Sequence, residues 1–410
     1  MYKKINDKVD GMKILVVSQS FYPDNFKINK IVQKFIKEGH EVDVLTGLPD
    51  YETGKIPKEY LFFKNRKQYY KGTTVHRVPT VSRRSGPVFR SLNYLSFVFF
   101  GWFWALFNNN GYDVVYVYQV SPVTMGIPAI KAAQRNNAKL VIYCLDIWPE
   151  CVKAMNIEEG TLAFRMIHRI SKYVYSKADV IPVSSPYFIE YLEKENKIAT
   201  TKTMYIPQHS DKVVLTGNHD VTNRLFSFLF TGNIGLVQDI EVIINAVAEI
   251  DMSINFKVDI VGDGSNLAVC RQLVLEKGLE EKIIFHGRCP ASEIPDFYSK
   301  ADICLLTLKN ENRIGMTIPS KLQGYMAAGK PIIAAIDGDA KKIIDDAKCG
   351  LSVSSGDFKA LAKIMEEVIK HPEKNREYGE NAKRYFMDNF TEEKFIFQTL
   401  SVFSDVKVNG

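Results

Sequence analysis

A segment late in the chain combines glycine and basic residues in an arrangement suited to binding phosphate. It reads NRIGMTIPSKLQGYMAAGKPIIA, residues 312–334, and a helix is predicted to begin at Ser320. Lys321 stands in the first turn of this helix, where the helix dipole ordinarily favours acidic side chains. A cation there is understandable if a diphosphate binds beside it, with Arg313 from the loop around Gly315 as a second cation. The alternative is that Lys321 is a solvated surface lysine.

Three glycine-containing turns follow predicted strands earlier in the same half of the chain. They read TGNIG (231–235), VGDG (261–264) and FHG (285–287). Glycine lets the backbone approach a ligand, and the helix predicted after the first turn offers unpaired N–H groups to an anion. Each turn alone also fits an ordinary strand-to-helix connection. The candidates for framing a phosphate, base or ribose are Gly232, Asn233, Gly235, Gly262, His286 and Gly287.

The first half of the chain places acidic side chains directly after predicted strands. Asp146 ends the strand LVIYCL and precedes Ile147-Trp148-Pro149. Because ligands bind outside the carboxyl ends of strands in doubly wound sheets, we expect this carboxylate to contact one. The alternative is that Asp146 caps the following helix. Further candidates for the same ligand are Asn25, Asp50, Tyr51 and Glu150.

The candidate site residues lie next to short apolar runs that alternate with helical patterns along the chain. Alternation of this kind predicts parallel sheets covered by helices on both faces. The polar, turn-rich stretch 209–224 separates two such series. We therefore predict two Rossmann-like α/β domains, 12–208 and 225–410, with a cleft between them and the last helix packing back on the first domain. Residues 1–11 form a short extension. The predicted strands are 13–18, 41–46, 74–79, 113–118, 140–145, 179–184, 203–207, 227–232, 257–262, 283–287, 303–308, 331–336 and 351–354; the predicted helices include 239–250 and 359–371.

Composition and charge narrow the classes of partner. The chain has 410 residues, of which 46% are hydrophobic, and six cysteines without a Cys-x-x-Cys pair. This is typical of a folded protein with neither a disulfide framework nor a zinc site. Residues 51–100 contain 10 basic and 2 acidic side chains. The first domain should therefore meet an anionic partner. No nucleic-acid-binding motif is present, and an anionic membrane surface fits better.

The stretch LNYLSFVFFGWFWALF, residues 92–107, is uncharged and strongly aromatic. It is short for a transmembrane helix, which needs about 20 residues. It is either a helix buried against the sheet or an interfacial element whose aromatic face enters the headgroup region. Arg83, Arg84 and Arg90, just upstream, favour the second interpretation. Since the polar N-terminus contains no signal peptide, we expect a cytoplasmic protein on the inner face of the membrane.

The order and spacing of several blocks resemble the family 4 retaining glycosyltransferases with the two-domain GT-B fold, and within them the WbuB-type enzymes of capsule and O-antigen assembly. The resemblance implies transfer of a hexosyl or N-acetylhexosaminyl group from a nucleotide diphosphate-sugar donor to a lipid-linked saccharide acceptor, without metal or cofactor. The residues from 231 onward would bind the donor and those of the first half the acceptor. The blocks are MKILVVSQSFYPDNFKINKIVQKFIKEGHEVDVLTGLPDYETGK, LDIWPE, VSSPYF, YIPQ, TGNIGLVQDIE, ADICLLTL and IPSKLQGYMAAGKPIIA.

The sequence departs from the family's pattern at the donor site. Met316 and Gly324 stand where relatives carry two glutamates, and Asn233 and Gln238 where they carry Arg and Lys. The resemblance therefore implies that Arg313 and Lys321 supply the missing charge, with Asp146 as the third catalytic candidate. These departures leave two alternatives: a nucleotide-sugar 2-epimerase of the same fold, or a catalytically silent GT-B subunit that serves a partner enzyme.

Overall fold

The protein folds into two compact units. In the computed structural model, the first unit runs to Ile206 and resumes at Ile396, and the second comprises Pro207–Phe395. Residues 1–10 of the predicted extension and residues 216–224 of the predicted linker lie outside the described part of the chain. The structure describes residues 11–84, 86–155, 157–215, 225–311 and 313–408.

The first unit contains an eight-stranded sheet. Its strands are β1 (Lys13–Val17), β2 (Glu41–Thr46), β3 (Lys67–Tyr70), β4 (Thr73–Arg77), β5 (Val114–Gln119), β6 (Lys139–Cys144), β7 (Ile181–Val183) and β8 (Thr203–Tyr205). Its helices are α1 (Lys27–Lys37), α2 (Pro87–Phe107), α3 (Gly126–Asn136), α4 (Leu162–Lys177) and α5 (Tyr187–Lys194). The strand order is β3-β4-β2-β1-β5-β6-β7-β8. Neighbouring strands are parallel, except that β3 runs antiparallel to β4.

The second unit contains a six-stranded, fully parallel sheet. Its strands are β9 (Phe226–Thr231), β10 (Phe256–Val261), β11 (Ile283–Gly287), β12 (Ile303–Thr307), β13 (Ile332–Ala335) and β14 (Gly350–Val353). Its helices are α6 (Ile240–Glu249), α7 (Leu267–Glu276), α8 (Ile294–Lys300), α9 (Ser320–Ala327), α10 (Gly338–Ala347), α11 (Phe358–Lys370), α12 (Glu373–Asn389) and the start of α13 (Glu392–Val408). The strand order is β11-β10-β9-β12-β13-β14.

Both units are doubly wound, and the strand order of each reverses at one point. The reversal lies between β1 and β5 in the first unit and between β9 and β12 in the second. In sheets of this kind, ligands bind at the reversal, outside the carboxyl ends of the strands. The prediction of two Rossmann-like α/β domains is thus confirmed for the described residues, and the topology fixes where a site in each unit belongs.

The predicted strands are all present, within two residues at either end. Their apolar residues are buried along nearly the whole strand, as in β5 and β12, because helices cover both faces of each sheet. β3 was not predicted. It has the sequence KQYY, lies at the edge of the sheet and is exposed at every second residue, so it lacks the apolar signal of the other strands.

Helix α2 contains the predicted aromatic segment and starts earlier, at Pro87, where proline suits the first turn. Its buried residues form one narrow stripe, with one residue in every four. The interpretation as a buried helix therefore holds for this stripe only. Within the described residues, no helix combines the length and apolarity that crossing a membrane requires. The stripe consists of Asn93, Phe97, Gly101 and Ala105; the exposed side chains of α2 include Leu92, Leu95, Phe99, Phe100, Phe103 and Phe107.

The last helix, α13, begins in the second unit and continues into the first. There the ring of Phe403 lies 5.6 Å from that of Phe35 on α1 and 5.3 Å from that of Tyr116 on β5. These distances are typical of favourable edge-to-face aromatic contacts. Residues from the end of the chain therefore complete the core of the first unit.

Candidate functional site

The glycine turns of the second unit meet at the carboxyl edge of its sheet. Gly232 and Gly262 have φ values of 122° and 148°, which other residues rarely adopt. A Cβ atom on Gly262 would lie 1.8 Å from the carbonyl oxygen of Gly232, so only glycine fits there. The Gly262 N–H donates to the carbonyl of Gly287 at 2.8 Å. Three predicted turns thus converge beside the reversal between β9 and β12.

Asn233 and Gln238 close the first of these turns. The Asn233 side-chain amide donates to Gln238 Oε1 at 2.9 Å, and the Gly235 N–H donates to the same oxygen at 3.1 Å. At these two positions the resemblance leads one to expect cations. Here the two amide side chains bind each other and hold the turn in shape, so a charge for an anionic ligand must come from another residue.

Lys321 provides a positive charge beside the Gly232 turn. Its ammonium group lies 3.4 Å from the carbonyl oxygen of Asn233 and 3.9 Å from the centre of the Phe230 ring. A Cβ on Gly232 would come within 2.6 Å of Lys321 Cε, so the lysine stem packs directly on the glycine. None of these partners is a carboxylate. The side chain is half-buried against the Gly232 turn, which favours a ligand-binding lysine over a solvated surface one.

Burial lowers the pKa of Lys321 from its usual value to about 7. A lysine loses hydration when it packs against an aromatic ring and a glycine turn, and no acidic side chain compensates for that loss. A bound anion would restore the charged form. A desolvated ammonium group beside a glycine turn suits a phosphate ligand.

The loop ahead of α9 is held by close backbone contacts. A Cβ on Gly315 would lie 2.2 Å from the carbonyl oxygen of Lys309, and one on Gly338 would lie 2.5 Å from Met316 Cα. Arg313, half-buried with a left-handed φ of 61°, opens this loop. Ser320 is exposed at the first position of α9, whose N-terminus has no side-chain cap. The candidates thus occupy one rigid loop and the start of one helix.

His286 is the exception among the predicted donor residues. Its Nε2 lies 2.8 Å from Asp259 Oδ1, and the other oxygen of Asp259 accepts from Ser227 Oγ at 2.9 Å. Ser227 is the second residue of β9, and Asp259 is the fourth residue of β10, so the network is formed by side chains of neighbouring strands. The ring of His286 is therefore hydrogen-bonded to Asp259, whereas the main chain of its neighbour Gly287 contacts the glycine turns.

Nucleotide affinity should depend on pH through Lys321. A bound diphosphate favours the ammonium form and raises its pKa above the value of about 7 found here, so binding takes up a proton. The affinity for UDP, GDP or dTDP should then fall by up to about tenfold per pH unit above pH 7. Titration calorimetry across that range measures this effect, and Lys321→Met should abolish it. A wild-type affinity that stays constant with pH would contradict the assignment.

In the first unit, Asp146 follows β6, the neighbour of β5, and contacts Ser121 from the loop after β5. Its Oδ2 accepts from Ser121 Oγ at 2.9 Å, and the same hydroxyl accepts from the indole N–H of Trp148 at 3.2 Å. Burial raises the pKa of Asp146 to about 6, although the Ser121 hydrogen bond opposes the shift. Among the described residues no backbone N–H donates to this carboxylate. The structure thus favours a carboxylate held for a ligand over a helix cap.

A second carboxylate, Asp50, is buried in the same unit. Its Oδ2 accepts from the Arg83 N–H at 2.7 Å and from the Asn93 amide at 3.0 Å. Asn93 Oδ1 in turn accepts from Gln19 Nε2 at 3.0 Å. Burial chiefly raises the pKa of Asp50 to about 6, and the nearby charge of Asp24 adds to the rise. The loops after β1, β2 and β4 and the helix α2 therefore share one polar network.

Arg83, whose N–H binds Asp50, also contacts two aromatic rings of the first unit. Its guanidinium lies 4.5 Å from the centre of the Tyr51 ring and 5.8 Å from that of Tyr94. Burial raises the pKa of Tyr94, and the charge of Asp146 adds to the rise. Arg83 thus lies over the ring of the predicted acceptor residue Tyr51 and binds the predicted acceptor residue Asp50 through its N–H; its contact with lipid phosphate stays a prediction.

The other two predicted acceptor residues are placed differently. Glu150 is buried, with Tyr191 donating to Oε1 at 3.0 Å and the Lys153 ammonium 2.7 Å from Oε2. These partners account for both carboxylate oxygens, so Glu150 stabilises the fold and we leave it out of the site. Asn25 is exposed, and its N–H donates to Glu52 at 3.3 Å, so its side chain is accessible at the mouth of the network.

Sequence reasoning missed Gln19, Asn93, Tyr94 and Ser121. Asn93 and Tyr94 lie inside the aromatic segment, which was interpreted as a buried or membrane-interfacial helix. Ser121 looks like an ordinary turn residue. Gln19 carried one available signal, a polar residue just after the first strand at the reversal of the sheet. Its buried Oε1 has no hydrogen-bond partner among the described residues.

The described residues contain no group of three His, Cys, Asp or Glu side chains arranged as metal ligands. The pair Asp337 and Asp339 flanks Gly338 at the start of α10, and Asp337 Oδ2 accepts from the Asn310 amide at 3.0 Å. The expectation that catalysis needs neither metal nor cofactor stays a prediction.

Two doubly wound units, with ligand-type residues at the reversal of each sheet, define a protein of the GT-B fold class. Solved structures agree. Sucrose-phosphate synthase from Thermosynechococcus elongatus superposes with a TM-score of 0.75 at 18% identity, covering 97% of this chain and 100% of that one. Anabaena HepE in complex with UDP gives a TM-score of 0.71 at 17% identity, covering 96% and 100%. At such identities the likeness shows the fold.

Family comparison identifies the chain more closely. The family described as "Glycosyl transferase 4-like domain" matches residues 27–209, and "Glycosyl transferases group 1" matches residues 219–385. Together they account for most of both units. The chain belongs to the GT-B glycosyltransferases of family 4, and the family predicted from the sequence is confirmed at this level.

Individual relatives are distant. The probable glycosyltransferase WbjE of Pseudomonas aeruginosa is 28% identical over 57% of this chain and 60% of its own length. The O-antigen chain mannosyltransferase C of Escherichia coli is 23% identical over 94% of this chain and 96% of its own. The match therefore spans only about three fifths of WbjE but nearly the whole of the mannosyltransferase.

Proposed function

We propose that this protein transfers a hexosyl or N-acetylhexosaminyl group, with retention, from a nucleotide diphosphate-sugar to a lipid-linked saccharide during assembly of a capsule or O-antigen. The observation that carries the proposal is the ammonium of Lys321, which is desolvated beside the Gly232 turn and has no carboxylate partner among the residues that the structure describes. A diphosphate is the ligand that best compensates for such a charge. The name of the Escherichia coli relative, an O-antigen chain mannosyltransferase, supports the polymer class.

In this mechanism the second unit stabilises the leaving group. As the bond between the anomeric carbon and the diphosphate oxygen breaks, negative charge moves onto the diphosphate. We assign the stabilisation of that charge to Lys321 and Arg313, because preorganised electrostatic contacts of this kind are usually the largest single contribution to catalysis. The N–H groups of Gly232, Ile234 and Gly235 donate to acceptors within the protein and shape the turn. The acceptor hydroxyl forms the new bond on the same face, and its proton passes to the leaving phosphate oxygen.

The first unit binds the acceptor. Asp146 and Asp50 each offer a carboxylate oxygen to sugar hydroxyls, and both are held in place by protein donors. The ring of Tyr51, exposed beside the Arg83 guanidinium, provides a surface on which a sugar ring can stack. Asn25 lies at the mouth of the same network.

Two measurements test the function. Thermal-shift screening with UDP-, GDP- and dTDP-sugars identifies the donor, and the selected donor is then incubated with the purified protein and a lipid-linked saccharide. Acceptor-dependent release of the nucleoside diphosphate supports the proposal. Inversion of the donor sugar at C2 without an acceptor would indicate an epimerase. Donor binding without any turnover would indicate the silent subunit that Met316 and Gly324 suggest.

The proposal includes peripheral association with the inner, anionic face of the membrane through α2. Leu95, Phe99 and Phe103 are exposed and follow one another at every fourth residue, forming a ridge opposite the buried stripe. Arg84 is exposed just ahead of the helix, where it can meet lipid phosphate. A lipid-linked acceptor would be reached from this surface.

Binding to vesicles of phosphatidylcholine and phosphatidylglycerol should weaken with added salt, because salt screens exposed charges. Leu95→Ser with Phe99→Ser should lower vesicle affinity at least about tenfold, since each exposed side chain contributes about 1.5–3 kcal/mol when buried in lipid. Flotation measures both effects. Met387→Ser, at an exposed apolar residue of α12, is the matched control. Unchanged flotation of the double variant would exclude α2 as the contact.

A further inference from the structure

Two adjacent phenylalanines outside α2 are among the most exposed side chains that the structure describes. Phe62 is 88% exposed and Phe63 is 77% exposed. They belong to the loop ahead of β3, and we call residues 61–66 the aromatic tip. Phenylalanine is usually buried, so two such rings side by side indicate a surface that contacts something apolar.

The backbone of the aromatic tip presents these rings outward. Phe62 and Phe63 have φ values of 51° and 63°, a left-handed conformation that bulky residues seldom adopt. The Lys64 N–H donates to the carbonyl of Leu61 at 3.1 Å, and the Asn65 amide donates to the carbonyl of Glu59 at 2.9 Å. The loop is therefore a formed turn that keeps two apolar rings in solvent.

The charge around the aromatic tip is strongly basic. Residues 58–71 contain one acidic residue, Glu59. The guanidinium of Arg66 lies 5.4 Å from the centre of the Phe63 ring, and its Nε and Nη1 have no hydrogen-bond acceptor in the described structure. The basic residues of this stretch are Lys58, Lys64, Arg66, Lys67 and Lys71, and within the described residues none of them forms an ion pair with a carboxylate.

The aromatic tip lies at the same edge of the sheet as the acceptor network. β3 pairs antiparallel with β4, with Lys67 opposite His76, and the Arg77 N–H donates to the carbonyl of Arg66 at 2.7 Å. The tip therefore stands at the carboxyl end of β4, the end from which the chain continues to Arg83. Helix α2 runs beside the same strand, since the rings of His76 and Trp104 are 4.9 Å apart.

We propose that the aromatic tip is a second membrane-insertion point, at which Phe62 and Phe63 enter the headgroup region of an anionic bilayer and the surrounding lysines contact lipid phosphates. The inference rests on the membrane association included in the proposed function and adds a site to it. Exposed aromatic rings ringed by unpaired cations match such a surface in both polarity and charge. Two rings present too little area for a stable protein partner.

Two attachment points on the first unit have a consequence for the acceptor. One contact allows the protein to rotate on the surface, whereas the ridge of α2 and the aromatic tip together fix its orientation. The acceptor network around Asp50 then stays next to the headgroups, where a lipid-linked sugar is located. Each contact alone is weak, and stable peripheral binding generally needs two signals.

The double variant Phe62→Ser with Phe63→Ser tests the proposal by flotation with vesicles of phosphatidylcholine and phosphatidylglycerol. We expect at least a roughly tenfold loss of vesicle affinity, since most of the apolar area of the tip is removed. Tyr69→Ser is the matched control, because Tyr69 is 76% exposed on the adjacent strand β3. In a separate Phe63→Trp variant, lipids brominated near the headgroup should quench the fluorescence of the introduced tryptophan.

Full binding by the double variant, or the absence of quenching in the Phe63→Trp variant, would overturn the proposal. If the α2 variants lose binding and the tip variants do not, the aromatic tip is excluded while the proposed function stands. Turnover with a short-chain, water-soluble acceptor should be the same for wild type and tip variant, so a loss there would point to a role in folding or catalysis instead. Concentration-dependent dimerisation that the double variant abolishes would assign the rings to self-association.

Discussion

Lys321→Met should lower kcat/KM for the identified donor by roughly 30- to 1000-fold, equivalent to about 2–4 kcal/mol of transition-state stabilisation. The reason is geometric: the ammonium is fixed beside the Gly232 turn, 3.4 Å from the Asn233 carbonyl oxygen. The same substitution should raise the melting temperature near neutral pH, because it removes a charge whose pKa is lowered by burial to about 7. A lysine whose removal lowers activity and raises stability is a functional residue.

The sign of the stability effect can be checked against pH. An unfolded lysine keeps its proton up to about pH 10.5, whereas the folded one releases it near pH 7, so the penalty for burying the charge is complete below pH 7 and disappears toward pH 10.5. The gain in melting temperature should follow the same course. Lys342→Met, at an exposed position on α10, is the control.

Arg313→Ala should lower turnover in the same way as Lys321→Met. Wild-type turnover by the variant lacking both cations would end the assignment.

Asp146→Asn should leave the fold intact and lower acceptor-dependent turnover by roughly 10- to 150-fold. An asparagine can still accept from Ser121 Oγ, so the local structure is kept, but the charge offered to the acceptor hydroxyl is lost. Hydrogen bonds to charged groups are worth about 1.5–3 kcal/mol, which gives this range. The KM for the acceptor should rise while the affinity for the donor nucleotide stays unchanged.

A pH profile separates this role from a structural one. The pKa of Asp146 is about 6, so wild-type turnover should fall as the pH drops through 6 and the carboxylate is protonated. Asp50 titrates in the same range and is expected to contribute, so the acid limb should weaken in either Asn variant and vanish in the double variant. Glu150→Gln, which disrupts a buried ion pair instead, should lower the melting temperature. Full activity in a stable Asp146→Asn variant would remove Asp146 from the acceptor site.

The signals that predict a donor site in the second unit are local in sequence. Glycines that end strands and a cation in the first turn of a helix are visible in short windows, and the structure brings Gly232 and Lys321 into contact. The chain order of strands and helices likewise predicts a doubly wound sheet, since parallel strands leave few topologies. A short stretch of sequence does not show that the side chains of Asn233 and Gln238 bind each other.

The acceptor side depends on contacts between residues far apart in sequence. Asp50, Asn93 and Gln19 come from two loops and a helix, and no local pattern relates them. For the same reason Glu150 was predicted to bind the acceptor, although its carboxylate contacts Tyr191 and Lys153. His286 was likewise predicted to bind the donor, although its ring is bonded to Asp259. Burial and partnership of polar groups are tertiary properties, so residue type and position alone do not determine them.

The placement of Phe403 against Phe35 and Tyr116 makes the first unit discontinuous along the chain. The second unit, residues 207–395, is a single stretch and can complete its core as soon as it leaves the ribosome. The first unit is made earlier but lacks part of its core until residues 396–408 have been synthesised. During translation an apolar surface of the first unit therefore stays exposed until this last segment packs against it. In a fragment that stops at residue 206, this apolar surface would remain exposed permanently.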